Sequence, residues 1–270
     1  MEILKVIILG IVQGFTEFLP VSSSGHLVLA AELLNFHEKG VAFEVFVHLG
    51  TLLSVLIVFR KDVIKMILAP FQFLSSRFSK EDTKSYLFWD LYIIVGTIPA
   101  AVIGLSFKSK IEAAFSNIYL VIAMLTVTGT ILLLSRFMPK KDQKMTVLKS
   151  FVIGISQAFA ILPGISRSGS TIVTGIFLGI DKEQAARFSF LLAIPAILGA
   201  SVIKIKDLLE MDSYATPISY LVLGAIISFI AGYFAILWLL DIVKKGKLEW
   251  FAIYCYVIVI VSSIWYVFLK

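Results

Sequence analysis

Residues 13–26 read QGFTEFLPVSSSGH, and the fold turns on how that stretch sits in an otherwise apolar chain. Glu17, the Leu19-Pro20 break, Ser22, Ser23, Ser24, Gly25 and His26 crowd into ten residues. Lipid offers no hydrogen bonds, so broken backbone and ionisable groups persist there only when buried in protein or lining a wet cavity. The pattern occurs twice. A shift of 144 positions lays Leu4–His26 over Leu148–Ser170, and nine of the 23 pairs are identical, among them Gly10/Gly154, Gln13/Gln157, Ser22/Ser166, Ser24/Ser168 and Gly25/Gly169. The second copy carries Arg167 where the first has Ser23, and Ile161 where it has Glu17. Two broken helices with different polar cargo read as two halves of one site.

Composition sets the solvent. Hydrophobic residues make up 59% of the chain and charged residues 16%, against roughly 25% charged in a soluble domain. One cysteine, Cys255, lies in an apolar run and excludes a disulfide framework within the chain. The N-terminus is apolar from Ile3 but lacks a basic leader and a small-residue cleavage site, so it reads as retained structure. A net charge of +6 would suggest nucleic acid in a soluble protein. Here the basic residues punctuate apolar segments, which makes membrane topology the better explanation and leaves no nucleic-acid partner.

The pattern predicts an all-α membrane protein of two re-entrant helical hairpins and six transmembrane helices. A spanning helix needs about 20 apolar residues, more than the short pieces beside Pro20 and Pro163 supply. Residues 1–36 therefore form a hairpin with VSSSGH at its tip, and 147–163 with 169–180 form a second with PGISRSG at its tip. Full spans fall at about 41–60, 86–107, 116–137, 185–203, 216–241 and 250–269. The longest polar loop, about 61–85, has room for a short surface helix. Three spans per half give two repeats, about 1–137 and 147–270, of opposite orientation within a single membrane domain. Gly96/Gly104 and Gly224/Gly232 echo each other as close-packing pairs. Sixteen basic residues fall on one face and seven on the other, which predicts the first face cytoplasmic and both termini outside. The hairpins then dip in from opposite sides and their tips meet near the middle.

What the tips would do follows from their residue types. Gln13 and Glu17 stand one helical turn apart on one face. Glu17 and Arg167 at mid-membrane are expensive, by ~2.5–3.5 kcal/mol on insertion scales, so a functional role outweighs simple mutual pairing. The two Ser-rich stretches each begin a short helix, where amides, dipole and hydroxyls favour an anion. With the forked guanidinium of Arg167 they suit a phosphate or pyrophosphate. The plain alternative, serines as N-caps and glycines as packing residues, suffices for Ser22 or Ser168 alone but not for the paired tips with Glu17, Arg167 and His26. His26 suits a base, an acid or a phosphoryl acceptor. His37 and His48 read as bland or supporting, and Glu44 and Asp181 as segment ends. A carboxylate beside a phosphate site leaves room for a divalent ion such as magnesium, with calcium as the variant. An anion site need not hydrolyse anything, so a transporter or lipid flippase stays open as the rival class.

QGFTEFLPVSSSGH and PGISRSGST resemble the two signature motifs of the bacterial undecaprenyl pyrophosphate phosphatases, the integral-membrane family linked to bacitracin resistance. The similarity covers essentially the whole chain. It implies hydrolysis of undecaprenyl pyrophosphate, or other prenyl pyrophosphates, to the monophosphate and phosphate, which recycles the carrier lipid for cell-wall synthesis. It also implies a multi-pass plasma-membrane protein whose site opens to the outer face, with a homodimer as the assembly to test. Carried over by motif, Gln13 and Glu17 form the first element. Ser22, Ser23, Ser24, Gly25 and His26 form the second, and Ser166, Arg167, Ser168, Gly169 and Thr171 the third. Gln13 is the neutral option at its position, so the chain rests on one carboxylate there. Ser23 is the preferred nucleophile with Glu17 as its activator or a metal ligand, and His26 is the rival nucleophile.

Overall fold

The computed structural model describes residues 2–36, 42–74, 81–137, 142–209 and 217–268. Its secondary structure is helical throughout those residues: α1 (Glu2–Phe18), α2 (Ser23–Leu33), α3 (Ala42–Val58), α4 (Arg60–Leu74), α5 (Glu81–Ser106), α6 (Lys108–Phe115), α7 (Ile118–Leu134), α8 (Val147–Phe159), α9 (Arg167–Phe177), α10 (Lys182–Leu209), α11 (Ile218–Lys245) and α12 (Glu249–Phe268). The two short pairs, α1–α2 and α8–α9, are the expected hairpins. The returning helices start earlier than 27 and 169. They begin on the serine motifs themselves, because Ser22 and Ser166 act as N-caps whose hydroxyls accept from Gly25 N and Gly169 N at 3.3 and 3.0 Å.

Among the described residues five helices, α5, α7, α10, α11 and α12, are long and apolar enough to cross a bilayer alone. The sixth expected span, α3, has only 17 residues and qualifies together with α4, from which it bends by 81°. The bend falls where Arg60, Lys61 and Asp62 interrupt the apolar run. α4 is the surface helix foreseen in the 61–85 loop, though longer and starting at once after α3. Its Ile64, Ile67 and Phe71 stay exposed, as on a helix lying along a membrane surface. Asp62 ties it down, accepting from Arg187 Nε at 3.1 Å and from the Tyr86 hydroxyl at 3.3 Å while Arg187 lies over the Trp89 ring. The short helix α6, between two spans, had no counterpart in the sequence reading, and His37 falls outside the described residues.

Small residues set how the hairpins seat. In lipid, helices associate by close packing and interhelical hydrogen bonds, since burial against lipid brings little gain. α1 crosses α11 where a Cβ on Gly10 would lie 3.1 Å from the Gly224 carbonyl, and one on Gly14 would lie 2.5 Å from Ala231 Cβ. α8 crosses α5 at the matching place, with Gly154 pressed onto the Gly96 carbonyl. Ser54 Oγ donates to Phe229 O at 2.7 Å and Ser228 Oγ to Val47 O at 2.8 Å, lacing α3 to α11. Under the tips the core is aromatic: Phe18 packs edge-on against Phe190 at 5.8 Å, and Phe188 is fully buried beside them.

A Gly154→Val change forces a side chain into the Gly96 backbone, and overpacking of this kind costs about 1–3 kcal/mol. The melting temperature of the detergent-purified protein should fall clearly for that variant. It should hold or rise slightly for Gly199→Ala, where an added Cβ meets nothing within 4 Å.

Candidate active site

The two tips abut through backbone and small side chains. A Cβ on Gly25 would sit 3.1 Å from Gly164 Cα, and one on Gly169 would sit 3.2 Å from Pro20 Cβ, so each glycine lets the opposite tip close in. Ser168 Oγ donates across the seam to Leu19 O at 3.2 Å. α7 holds the second tip from outside: Thr128 Oγ1 donates to Gly164 O at 2.7 Å and accepts from Ser166 N at 2.9 Å. The chain reverses by different means at the two tips. Gly164 takes φ +96° without cost, whereas Ser22 takes φ +72°, a conformation that serine rarely adopts. His26 supports that strained turn, since its Nδ1–H donates to Ser22 O at 2.8 Å and its backbone N–H reaches the same oxygen at 3.1 Å.

At the seam the charges meet. Glu17, with 5% of its side chain exposed, accepts from Ser23 Oγ at 2.5 Å and Gln13 Nε2 at 3.0 Å through Oε2. Arg167 Nη2 donates to the other carboxylate oxygen, Oε1. One guanidinium nitrogen therefore holds Glu17, while Nη1 is buried without a hydrogen-bond partner. Gln13 Oε1 is also buried and unpartnered. Gln157 Oε1, its counterpart in the second repeat, and Asp90 Oδ2 are left over too, so it is the charged donor Arg167 Nη1 that singles out the seam as a place for an anion. Ser23, Ser24 and Arg167 keep partial exposure at the seam, unlike the buried Ser22, Ser166 and Ser168 around them. The exposed groups are placed to meet a ligand, and the buried ones hold the turns that present them.

The remaining expected residues sort themselves by geometry. Ser24 Oγ lies 3.2 Å from Ser22 Oγ, and Ser168 Oγ lies 3.3 Å from Ser166 Oγ, the same arrangement in both tips. Thr171 uses its hydroxyl on the first turn of α9, donating to Arg167 O at 2.8 Å beside Ser189 Oγ at 2.6 Å. It steadies the helix that carries Arg167. His26 has both ring nitrogens engaged: with Nδ1 protonated towards Ser22 O, the neutral ring accepts at Nε2 from the Tyr254 hydroxyl at 3.0 Å. The Tyr254 ring stacks on it at 5.5 Å.

Two neighbours were missed or underrated. Tyr254 lies 228 residues from His26 in an apolar run, and nothing local in the sequence points to it. His48 places Nε2 3.7 Å from Glu17 Oε2 and anchors its other nitrogen on Glu44 O at 2.7 Å. A histidine facing inwards on an apolar span was the available signal. Glu44 itself pairs with Lys204 at 2.5 Å, as a segment-end residue should.

Comparison with known proteins places the whole chain beside one family. Residues 6–261 match the family model described as bacitracin resistance protein BacA. An undecaprenyl-diphosphatase of Methanobrevibacter smithii is 45% identical over 97% of this chain and 96% of its own length. One from Christiangramia forsetii is 44% identical over 96% of each chain. Undecaprenyl-diphosphatase 1 of Shouchella clausii is 38% identical over 98% of this chain and 96% of its own.

Breaking a buried ion pair from one side leaves the other charge uncompensated, at about 3–5 kcal/mol. Arg167→Met should therefore lower the melting temperature more than the double variant Glu17→Gln/Arg167→Met, in which no charge is stranded. A thermal double-mutant cycle in one detergent checks the order.

Proposed function

Because the chain belongs to the bacitracin resistance protein BacA family, we propose that it is an undecaprenyl-diphosphatase, hydrolysing undecaprenyl diphosphate to the monophosphate and inorganic phosphate. One observation carries the reading: beside a serine hydroxyl already bonded to a carboxylate, Arg167 keeps a buried nitrogen with no partner. A diphosphate supplies the missing acceptor. The guanidinium, the hydroxyls of Ser23 and Ser24, and the open amides of the α2 and α9 first turns would hold its phosphates and the charge that develops on transfer.

In the reaction Ser23 Oγ attacks the terminal phosphorus as its proton passes to Glu17 Oε2. The P–O bond to the bridging oxygen breaks, and the electron pair leaves with the prenyl monophosphate. Glu17 gives that proton to the departing prenyl monophosphate and, a carboxylate again, takes one from the water that attacks the phosphoserine phosphorus. The P–Oγ bond breaks and Glu17 returns the proton to Ser23 Oγ as inorganic phosphate leaves. Arg167 has two tasks, holding Glu17 through Nη2 and the substrate through Nη1. His26, bonded to Ser22 and Tyr254, shapes the turn that presents Ser23, and remains the rival phosphoryl acceptor.

Among the described residues no group of three His, Cys, Asp or Glu side chains converges, so an all-protein metal cage is not formed. Glu17, next to the unpartnered Gln13 Oε1, would be the carboxylate to hold a divalent cation that shares its coordination with the substrate, as magnesium often does and calcium can. Such an ion would neutralise diphosphate charge and polarise the P–O bond under attack. For the whole chain the reading is a single membrane domain of two inverted repeats, residues 1–137 and 147–270, with both termini and the site on the outer side. The basic-residue asymmetry supports that orientation.

Phosphate release from a prenyl diphosphate by the detergent-purified protein tests the proposal. Ser23→Ala and Arg167→Ala should each lose at least ~100-fold in kcat/KM, as removal of a nucleophile or of a transition-state donor does elsewhere. Lys245→Ala, in a surface ion pair with Asp241, should behave as wild type, and chelation of divalent ions should lower release. No release from folded protein, with lipid crossing sealed liposomes instead, would make the same pocket a carrier's binding site.

A further inference from the structure

An apolar groove of about 570 Å³ opens beneath the first hairpin tip, within the ~300–1,000 Å³ typical of small-molecule sites. Its roof is the tip itself, through Leu19 and Val21, the residues on either side of Pro20. Its walls are α11 and α12, through Trp238, Ile242, Trp250 and Tyr254. At one end the Tyr254 hydroxyl donates to His26, three residues along α2 from Ser23. At the other end it reaches Lys247 in the turn between α11 and α12. Trp238 and Trp250 are 51% and 63% exposed, which leaves the side of the groove open to the bilayer.

We propose that this groove receives the first isoprene units of the polyprenyl chain while the diphosphate occupies the seam between the tips. The proposal rests on the diphosphatase reading and names the subsite that reading needs. A prenyl diphosphate joins a multiply charged anionic head directly to a branched hydrocarbon chain. When the head sits against Ser23 and Arg167, the chain must leave the seam across an apolar surface. The groove adjoins the seam through Leu19, whose carbonyl accepts from Ser168, and through Tyr254, whose hydroxyl reaches His26; its other walls are apolar apart from Thr16 and the distant Lys247. Rigid rings give large contact area at small entropy cost. The lateral opening lets a long chain slide in from lipid without threading. A phospholipid acyl chain entering from the Lys247 end is the competing occupant, and the experiment separates the two.

Hydrolysis is compared for farnesyl diphosphate, with three isoprene units, and isopentenyl diphosphate, with one. Ile242→Trp narrows the groove away from the reacting groups. It should lower the farnesyl-to-isopentenyl ratio of kcat/KM by about tenfold or more, chiefly through KM, since a few methylenes in an apolar pocket discriminate by that order. Leu198→Trp, at a lipid-facing position of α10, should leave the ratio unchanged. In parallel, a non-hydrolysable prenyl diphosphonate with a photoreactive group on its second isoprene unit should label residues 15–21 or 238–254. An unchanged ratio in Ile242→Trp, or label confined to other segments, overturns the proposal and leaves the groove to phospholipid. If the wild-type protein hydrolyses neither substrate, the diphosphatase reading fails and takes the chain subsite with it.

Discussion

The contact on which the molecule depends is the one between Glu17 and Arg167. Each sits on a hairpin of short helices, α1–α2 or α8–α9, and leaving either charge buried there without the other is costly. Together they join the two tips across a separation of 150 residues and hold a serine hydroxyl against the same carboxylate. The pair is not saturated. Arg167 Nη1 and Gln13 Oε1 are left over, buried and unpartnered, one a donor and one an acceptor. A purely structural ion pair would be better served by closing those last bonds. The unpaired atoms are the physical difference between a clasp and a site.

The surrounding structure makes that difference affordable. Small residues let α1 and α8 seat deeply against α11 and α5, which fixes the hairpins although their helices are short. Gly10 on Gly224 and Gly154 on Gly96 are the same crossing made twice. The N-cap hydroxyls of Ser22 and Ser166 and the paired serines beside them are also made twice. What differs is what each scaffold carries: Ser23 against Arg167, Glu17 against Ile161, Pro20 against Gly164 and His26 against Ser170. One tip contributes the hydroxyl and the carboxylate, and the other the cation. The first tip also holds the strained Ser22 turn, supported by His26, as expected where backbone strain serves presentation of a reacting group.

Much of this was legible in the sequence because lipid is an unforgiving solvent. A proline and a carboxylate inside an apolar run admit few explanations, and the 144-residue repeat says that the explanation applies twice. The hairpins, the helix starts on the serine motifs and the meeting of Glu17 with Arg167 all follow from that constraint. Less legible was whatever depends on contacts between distant, ordinary-looking residues. Tyr254 resembles any aromatic on a lipid-facing helix until its hydroxyl is seen on His26. α6 is short and polar, so periodicity does not separate it from a loop, and α3 falls short of a full span by a few residues because the charges of Arg60–Asp62 turn the chain early. The division of the serines into exposed and buried was likewise hidden, since hydroxyls in one motif look alike until the turns are built.

The measurement that bears most directly on the account is a rapid-quench trap of the enzyme turning over a prenyl diphosphate labelled on its terminal phosphate. Samples are stopped in parallel in acid, which preserves phosphoserine, and in alkali, which preserves phosphohistidine, and the labelled peptide is identified by mass spectrometry. The account predicts an acid-stable label on Ser23, absent from Ser23→Ala. An alkali-stable label on His26, or turnover with no labelled protein at all, would contradict it.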